Sequence, residues 1–338
     1  MKKRTSCCGI AVWFVTGALL SHSSAQTAKL PQPLLLAANQ SDHTLSLLDP
    51  TSGKQVASVP VEGITGHEVA ASPDGKTAYV PIYGDAGVGK PGTDGSKISV
   101  IDLSRHEVVH TIDFGHGVRP HCAIYDRNSG WLYVTTELDK SVSIIDPKTL
   151  KIVGSIPTGQ EQSHMLALSK DGSRGYTANV GPGTVSVLDM KARKTLAIIP
   201  IAKTTQRISI SMDDRMVFTA DQTQPQLAVI DTATNQLKVW VPLPSVGYGT
   251  AATLDGRFLL VAMPRTKQIA VVDLTTMKVA QTIDIEGSAT EILMSPDGKV
   301  AFASCGETHQ VVVIDLRQWK VRRAMEAGAG VDGLAWAN

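Results

Sequence analysis

The chain has 338 residues, 43% of them hydrophobic, 19% charged and 5% aromatic, with 32 basic against 31 acidic side chains and a formal net charge of +1. That balance excludes a disordered chain, which needs low hydrophobicity and high net charge, and it offers no basic, aromatic-lined surface for nucleic acid. Four cysteines are too few for a disulfide scaffold in a chain long enough to bury a large core.

The N-terminus sets the cationic "MKKR" before the apolar run "GIAVWFVTGALL" and the small residues of "SHSSAQ". This is the pattern of a cleavable secretory signal peptide over residues 1–25, with the cut after Ala25 and a linker over 26–32. Cys7 and Cys8 precede the apolar run, so neither sits where a lipoprotein anchor would. No second apolar stretch is long enough to cross a bilayer, so the mature chain is expected to be periplasmic or secreted, without membrane insertion. Without Lys2, Lys3 and Arg4 it carries 29 basic against 31 acidic residues, and Cys122 and Cys305 remain as expected free thiols.

From residue 33 onward one unit recurs. The strand endings "LSLLD", "ISVID", "VSIID", "VSVLD", "LAVID", "IAVVD" and "VVVID" close on Asp49, Asp102, Asp146, Asp189, Asp231, Asp273 and Asp315, spaced 53, 44, 43, 42, 42 and 42 residues apart. A period in the low forties, with short alternating strands between turn signals such as "SPDG", marks four-stranded propeller blades. The chain opens on three strands ("LLLAANQ", "HTLSLLD", "KQVASVP") and ends on a lone one, "VDGLAWA". Residues 33–338 are therefore expected to form an all-β, single seven-bladed propeller of four antiparallel strands per blade, its ring closed by the C-terminal strand joining the N-terminal blade. The repeated aspartates are expected to cap the turns that follow them.

One stretch breaks the period. "YGDAGVGKPG" (Tyr83–Gly92) has the glycine spacing and Gly-Lys of a phosphate loop, but Pro91 stands where the hydroxyl residue is required and a strand, not a helix, follows. No nucleotide is expected. The roughly ten surplus residues between Tyr83 and Lys97 instead make a long loop joining the second and third strands, and long loops in compact domains are usually functional. Tyr83, Asp85, Lys90 and Asp94 are the side chains that it offers.

The first strand of each propeller blade lines the axis, so one residue per blade is expected at the mouth: His67, His121, His164, Arg207, Gly249, Glu291 and Gly333. Three of only nine histidines thus fall at one ring position in consecutive blades. Duplication alone could leave a repeated turn histidine, so inherited and functional origins both stand. His116 lies close enough to the mouth to be a candidate, whereas a first-strand thiol such as Cys122 is ordinarily an inert core residue.

"YVTT" (Tyr133–Thr136), "YTAN" (Tyr176–Asn179) and the recurring "SPDGK" resemble the bacterial and archaeal YVTN-repeat seven-bladed propellers over essentially all of the mature chain. The resemblance implies the fold. Its members include surface-layer proteins, periplasmic binding proteins and relatives of quinoprotein and cytochrome partner domains, and similar propellers elsewhere include lactonases and metal-dependent lyases.

Two chemistries suit the mouth. In the first, a polar, anionic small ligand or an extracytoplasmic protein partner binds at His67, His121, His164, Arg207, Glu291, Tyr83 and Lys90, with Arg207 pairing an anion. In the second, one divalent metal ion on His67, His121, His164 and Glu291 serves a lactonase-like hydrolase or a lyase, although Arg207 beside a dication is unfavourable. Neither haem nor pyrroloquinoline quinone is expected: Cys-x-x-Cys-His is absent, and there are seven repeats without a recurring tryptophan docking motif. No nucleic-acid partner is expected, and the chain reads as a monomer.

Overall fold

A computed structural model of the protein describes Met1 and residues 33–338. The signal-peptide segment beyond Met1 and the linker 26–32 lie outside the described residues.

Within the described residues, twenty-eight strands form seven four-stranded antiparallel sheets arranged as blades. Blade 1 joins the C-terminal strand β28 (Val331–Ala337) to β1 (Leu34–Asn39), β2 (Thr44–Asp49) and β3 (Lys54–Pro60) in the order β28-β1-β2-β3. Blades 2 to 7 then run consecutively as β4–β7, β8–β11, β12–β15, β16–β19, β20–β23 and β24–β27. The expected ring closure is present: Leu35 pairs with Trp336 and Ala37 with Leu334. At this seam the Trp336 indole donates to the Met294 carbonyl at 2.7 Å, and Arg323 of blade 7 donates to the Pro50 and Thr51 carbonyls of blade 1.

The repeated aspartate has a physical job in every blade. Its carboxylate accepts a backbone N–H from the turn it precedes, at 2.8 Å from Thr51 to Asp49 and 2.9 Å from Arg317 to Asp315. The same turn then reaches a left-handed residue, filled by Gly53 in blade 1 but by His106, Leu150, Arg193, Asn235, Met277 and Trp319 in the others. Each third strand also meets its fourth across a β-bulge, as between Ile144 and Ile145, which adds to the local twist. The core fills the spaces between blades: Val142 and Ile144 of blade 3 share one apolar cluster with Tyr176, Val185 and Val187 of blade 4. Both Cys122 and Cys305 are free and buried.

Closure of the ring removes the β1 edge. A chain truncated after Gly330 should therefore aggregate or melt well below the full-length protein in a thermal scan, and an unchanged melting temperature would contradict the account.

Candidate functional site

The ring position works because the inner strand is bulged there. In β8 (Pro120–Tyr125) the register slips between Pro120 and Ala123, in β12 (Ser163–Leu168) between Ser163 and Met165, and in β24 (Ala289–Met294) between Ala289 and Glu291. A bulge leaves its extra residue off the ladder and re-aims the side chain. Hydroxyls take up the freed backbone groups: Thr135 accepts from the Cys122 N–H and donates to the His164 carbonyl, and Thr219 donates to the Arg207 carbonyl. His121 with Cys122, His164 and Thr290 are the residues so displaced, Glu291 itself pairing with Ser304, while His67 and Arg207 lie just ahead of their short inner strands, β4 (Ala70–Ala71) and β16 (Ser209–Ile210).

The three histidines meet. The rings of His121 and His164 lie 3.5 Å apart between centroids and those of His67 and His121 5.2 Å apart, with the buried Tyr83 ring against all three. They line a cavity of about 280 Å³ together with Arg207, Gln206, Tyr248, Thr290 and Asp332. His67 is the histidine that meets solvent, its side chain 21% exposed, whereas His121 and His164 are 1% and 2% exposed.

Each imidazole has its own environment. The His164 Nδ1–H donates to the buried Glu137 carboxylate, and its Nε2 takes a hydrogen bond from the Gln206 amide at 3.0 Å, which together set the tautomer. The Tyr83 hydroxyl donates to the other Glu137 oxygen at 2.8 Å, and burial raises the phenol far above its ordinary value. Burial also holds His121 well below the usual imidazole range, reinforced by the neighbouring His164 and His67, and its buried Nδ1 has no partner. His67 is lowered from 6.5 to about 4 by burial, which outweighs the opposing Asp332 carboxylate. The Gln40 amide contacts both groups, at 3.2 Å from His67 Nδ1 and 2.5 Å from Asp332 Oδ2.

Arg207 is in the mouth but its charge is already matched. It donates to Glu68 at 2.5 Å and Asp332 at 2.7 Å, and Glu291 stands 3.7 Å away. Burial pushes Glu68 well above the ordinary carboxylate range and Glu291 up to about 7, each against the pull of Arg207. Glu291 also accepts the Leu334 N–H at 2.9 Å, on the Arg207 side of the ring. Among the described residues no group of three or more His, Cys, Asp or Glu side chains is placed to hold one metal ion. The expected set of His67, His121, His164 and Glu291 is not among such groups, and Glu291 faces Arg207 at 3.7 Å.

The long loop lies where its register placed it, between β5 (Thr77–Gly84) and β6 (Asp94–Asp102), and Gly87 and Val88 line the cavity. Arg119 fastens it, donating to Asp94 at 2.6 Å, the Lys90 carbonyl at 2.7 Å and the Gly87 carbonyl at 3.3 Å. Asp85 accepts the Thr93 N–H within the loop. Lys90 contributes that carbonyl while its side chain stays exposed and outside the cavity lining. His116 is exposed and bonds Asp139 at 2.9 Å.

Several mouth residues lie one register step from the position read in the sequence. Gln206, Tyr248, Thr290 and Asp332 each immediately precede the ring residue of four consecutive blades, and Glu68 immediately follows His67. Glu137 follows its second strand at the place that Tyr83 holds in blade 2.

A family model described as the cytochrome D1 heme domain matches residues 127–251. No curated protein matches the chain. Among solved structures, hydrazine synthase of Kuenenia stuttgartiensis is similar at 18% identity and TM-score 0.72, covering 87% of this chain and 98% of that one. A functionally unknown protein from Desulfotomaculum acetoxidans is similar at 12% identity and TM-score 0.73, covering 90% and 98%. The dihydro-heme d1 dehydrogenase NirN is similar at 14% identity and TM-score 0.64, covering 89% and 74%. These likenesses support a seven-bladed propeller. The family match corrects the expectation that haem plays no part: a missing Cys-x-x-Cys-His argues only against covalent attachment through thioethers, and a tetrapyrrole held without such bonds needs no such motif.

Two outcomes follow from this geometry. Truncating Glu137→Ala strands the buried Tyr83 and His164 donors, each costing about 1–3 kcal/mol, so chemical denaturation should show a large loss of stability; a near-neutral result would contradict the pairing. His67 takes its proton near 6.5 when unfolded and near 4 when folded, so the stability it contributes is full above pH 6.5 and is lost as pH falls toward 4. Unfolding free energy measured across that window should rise with pH, less steeply in His67→Gln; an identical slope would contradict it.

Proposed function

We propose that this propeller binds an iron tetrapyrrole of the haem d1 type, without covalent attachment, at its axial mouth. The reading rests on one coincidence: the cytochrome D1 heme domain match covers the blades that bring His164, Gln206, Arg207 and Tyr248 to the cavity where His67 meets solvent. Such a ligand is polar and anionic at its carboxylates and otherwise a flat apolar ring.

The residues present fit that group. Haem iron is commonly held by a neutral imidazole, and His67 is neutral at pH 7 and partly exposed, with the Asp332 carboxylate 3.8 Å from Nδ1 on the side where a ligating imidazole would direct its N–H. Tyr83, Val88 and Tyr248 offer apolar and aromatic surface beside it. Gln206 and Tyr248 offer neutral donors for ligand carboxylates, since the Arg207 charge is engaged by its own acids and the Thr290 hydroxyl by Asp332. When bound, the iron would supply redox or ligand-exchange chemistry. The chain's own part is to present His67, cover one side with the Gly87–Val88 segment, and hold the Tyr83–Glu137–His164–Gln206 chain of hydrogen bonds at the floor.

Signal cleavage after Ala25 and membership among YVTN-repeat propellers belong to the same proposal: a monomeric protein that acts outside the cytoplasm. Mature protein isolated from that compartment should begin at Gln26 and, titrated with haemin, shift the Soret band saturably; His67→Ala should lose the shift while His110→Ala keeps it. No saturable shift, or an unaffected His67→Ala, would reject the reading.

A further inference from the structure

On the face opposite the mouth, the turns of blades 6 and 7 enclose a second cavity of about 850 Å³, about three times the volume of the axial one. Its walls carry Arg257, Lys299, Arg317 and Arg322, with Phe258 and Trp319 between them. Those two rings pack edge to face at 5.1 Å, and the Arg257 guanidinium lies 5.1 Å over the Phe258 ring.

Three of the four cations are unpaired among the described residues, and the three carboxylates of the lining are bonded within their own turns. Among the described residues Lys299 pairs with Asp297, whereas the side chains of Arg257, Arg317 and Arg322 enter no ion pair or hydrogen bond. Asp255 accepts from Thr253 and the Arg257 N–H, Asp297 from Ser295 and the Lys299 N–H, and Asp315 from the Arg317 and Gln318 N–H groups, so each carboxylate is committed to its turn.

The repeats provide an internal control. In the turn after the repeated aspartate, Trp319 takes the left-handed position that Gly53 holds in blade 1 and that His106, Leu150, Arg193, Asn235 and Met277 hold in blades 2 to 6. Arg317 and Arg322 stand where blade 1 has Thr51 and Val56 and blade 6 has Thr275 and Ala280. Single cations recur at these places, as Lys148, Lys191 and Lys238, but blade 7 alone joins a cation at both to an aromatic ring at the left-handed position. The corresponding groove between blades 3 and 4 is smaller, about 360 Å³, and holds Asp126, Asp171, Lys191 and Arg193.

We propose that this groove docks an acidic segment of a partner protein that carries an aromatic side chain. Cations distributed over separate turns and a strand of two blades match carboxylates spaced along a chain, and the paired rings give an aromatic residue of that segment a face to pack on. The near-neutral net charge of the whole chain makes the match local to this face.

The test is fluorescence anisotropy with a labelled random Glu/Tyr copolymer on the mature protein, with thermal melts to confirm folding. Wild type should bind, and more weakly as salt rises. Arg317→Glu/Arg322→Glu should weaken binding by at least about tenfold, by replacing attraction with like-charge repulsion. Trp319→Gly, whose backbone matches Gly53 of blade 1, should weaken it by about threefold through loss of the aromatic contact. Lys191→Glu/Arg193→Glu should leave it unchanged. Absent wild-type binding, equal binding by the blade 7 charge variant, or tighter binding of phenyl phosphate than of the copolymer would overturn the proposal.

Discussion

One buried guanidinium organises the axis. Arg207 comes from blade 5, Glu68 from blade 2, Glu291 from blade 7 and Asp332 from the strand that closes blade 1, so a single side chain ties four blades across the ring. Burying that many charges is unfavourable unless they satisfy one another, and loss of the arginine would leave carboxylates uncompensated in a dry environment. Burial raises Glu68 and Glu291, which reduces the negative charge that Arg207 has to balance.

That arrangement divides the mouth into two halves with different chemistry. On the Arg207 side the charges are matched internally, although the buried Arg207 Nε has no partner, and the ring offers little free charge to a ligand. On the histidine side, burial and mutual proximity keep His67 and His121 neutral, and the Tyr83–Glu137–His164 bonds hold the third imidazole in one orientation. The bulges in β8 and β12 make this possible by turning residues of a closely packed inner strand toward the axis. Arg119 gives the long loop the same fixity, with three bonds that hold Gly87 and Val88 over the cavity.

Most of the fold was legible because the third-strand aspartate recurs at nearly constant spacing and each copy performs the same turn-capping task. The histidine cluster was legible for a related reason, since one register position per blade points to one ring of the mouth. Reading a single position also set the limit. Asp332, Gln206, Tyr248 and Thr290 lie one residue earlier, Glu68 one later, and Glu137 required the second-strand register that Tyr83 already marked. The pairing of Glu291 with Arg207 was not legible, because residues 84 apart in sequence compete there for a carboxylate that spacing alone could as well give to the histidines. Haem was set aside on a motif that governs covalent attachment, and local sequence offers no comparable signature for a tetrapyrrole held in a cavity.

We propose that the histidine side of the axial mouth holds an iron tetrapyrrole. Anomalous diffraction at the iron edge, from crystals of the mature protein grown with haemin, tests it most directly. The account predicts one strong iron peak in the mouth beside His67. A peak elsewhere on the propeller, or none with haemin present in excess, would contradict it.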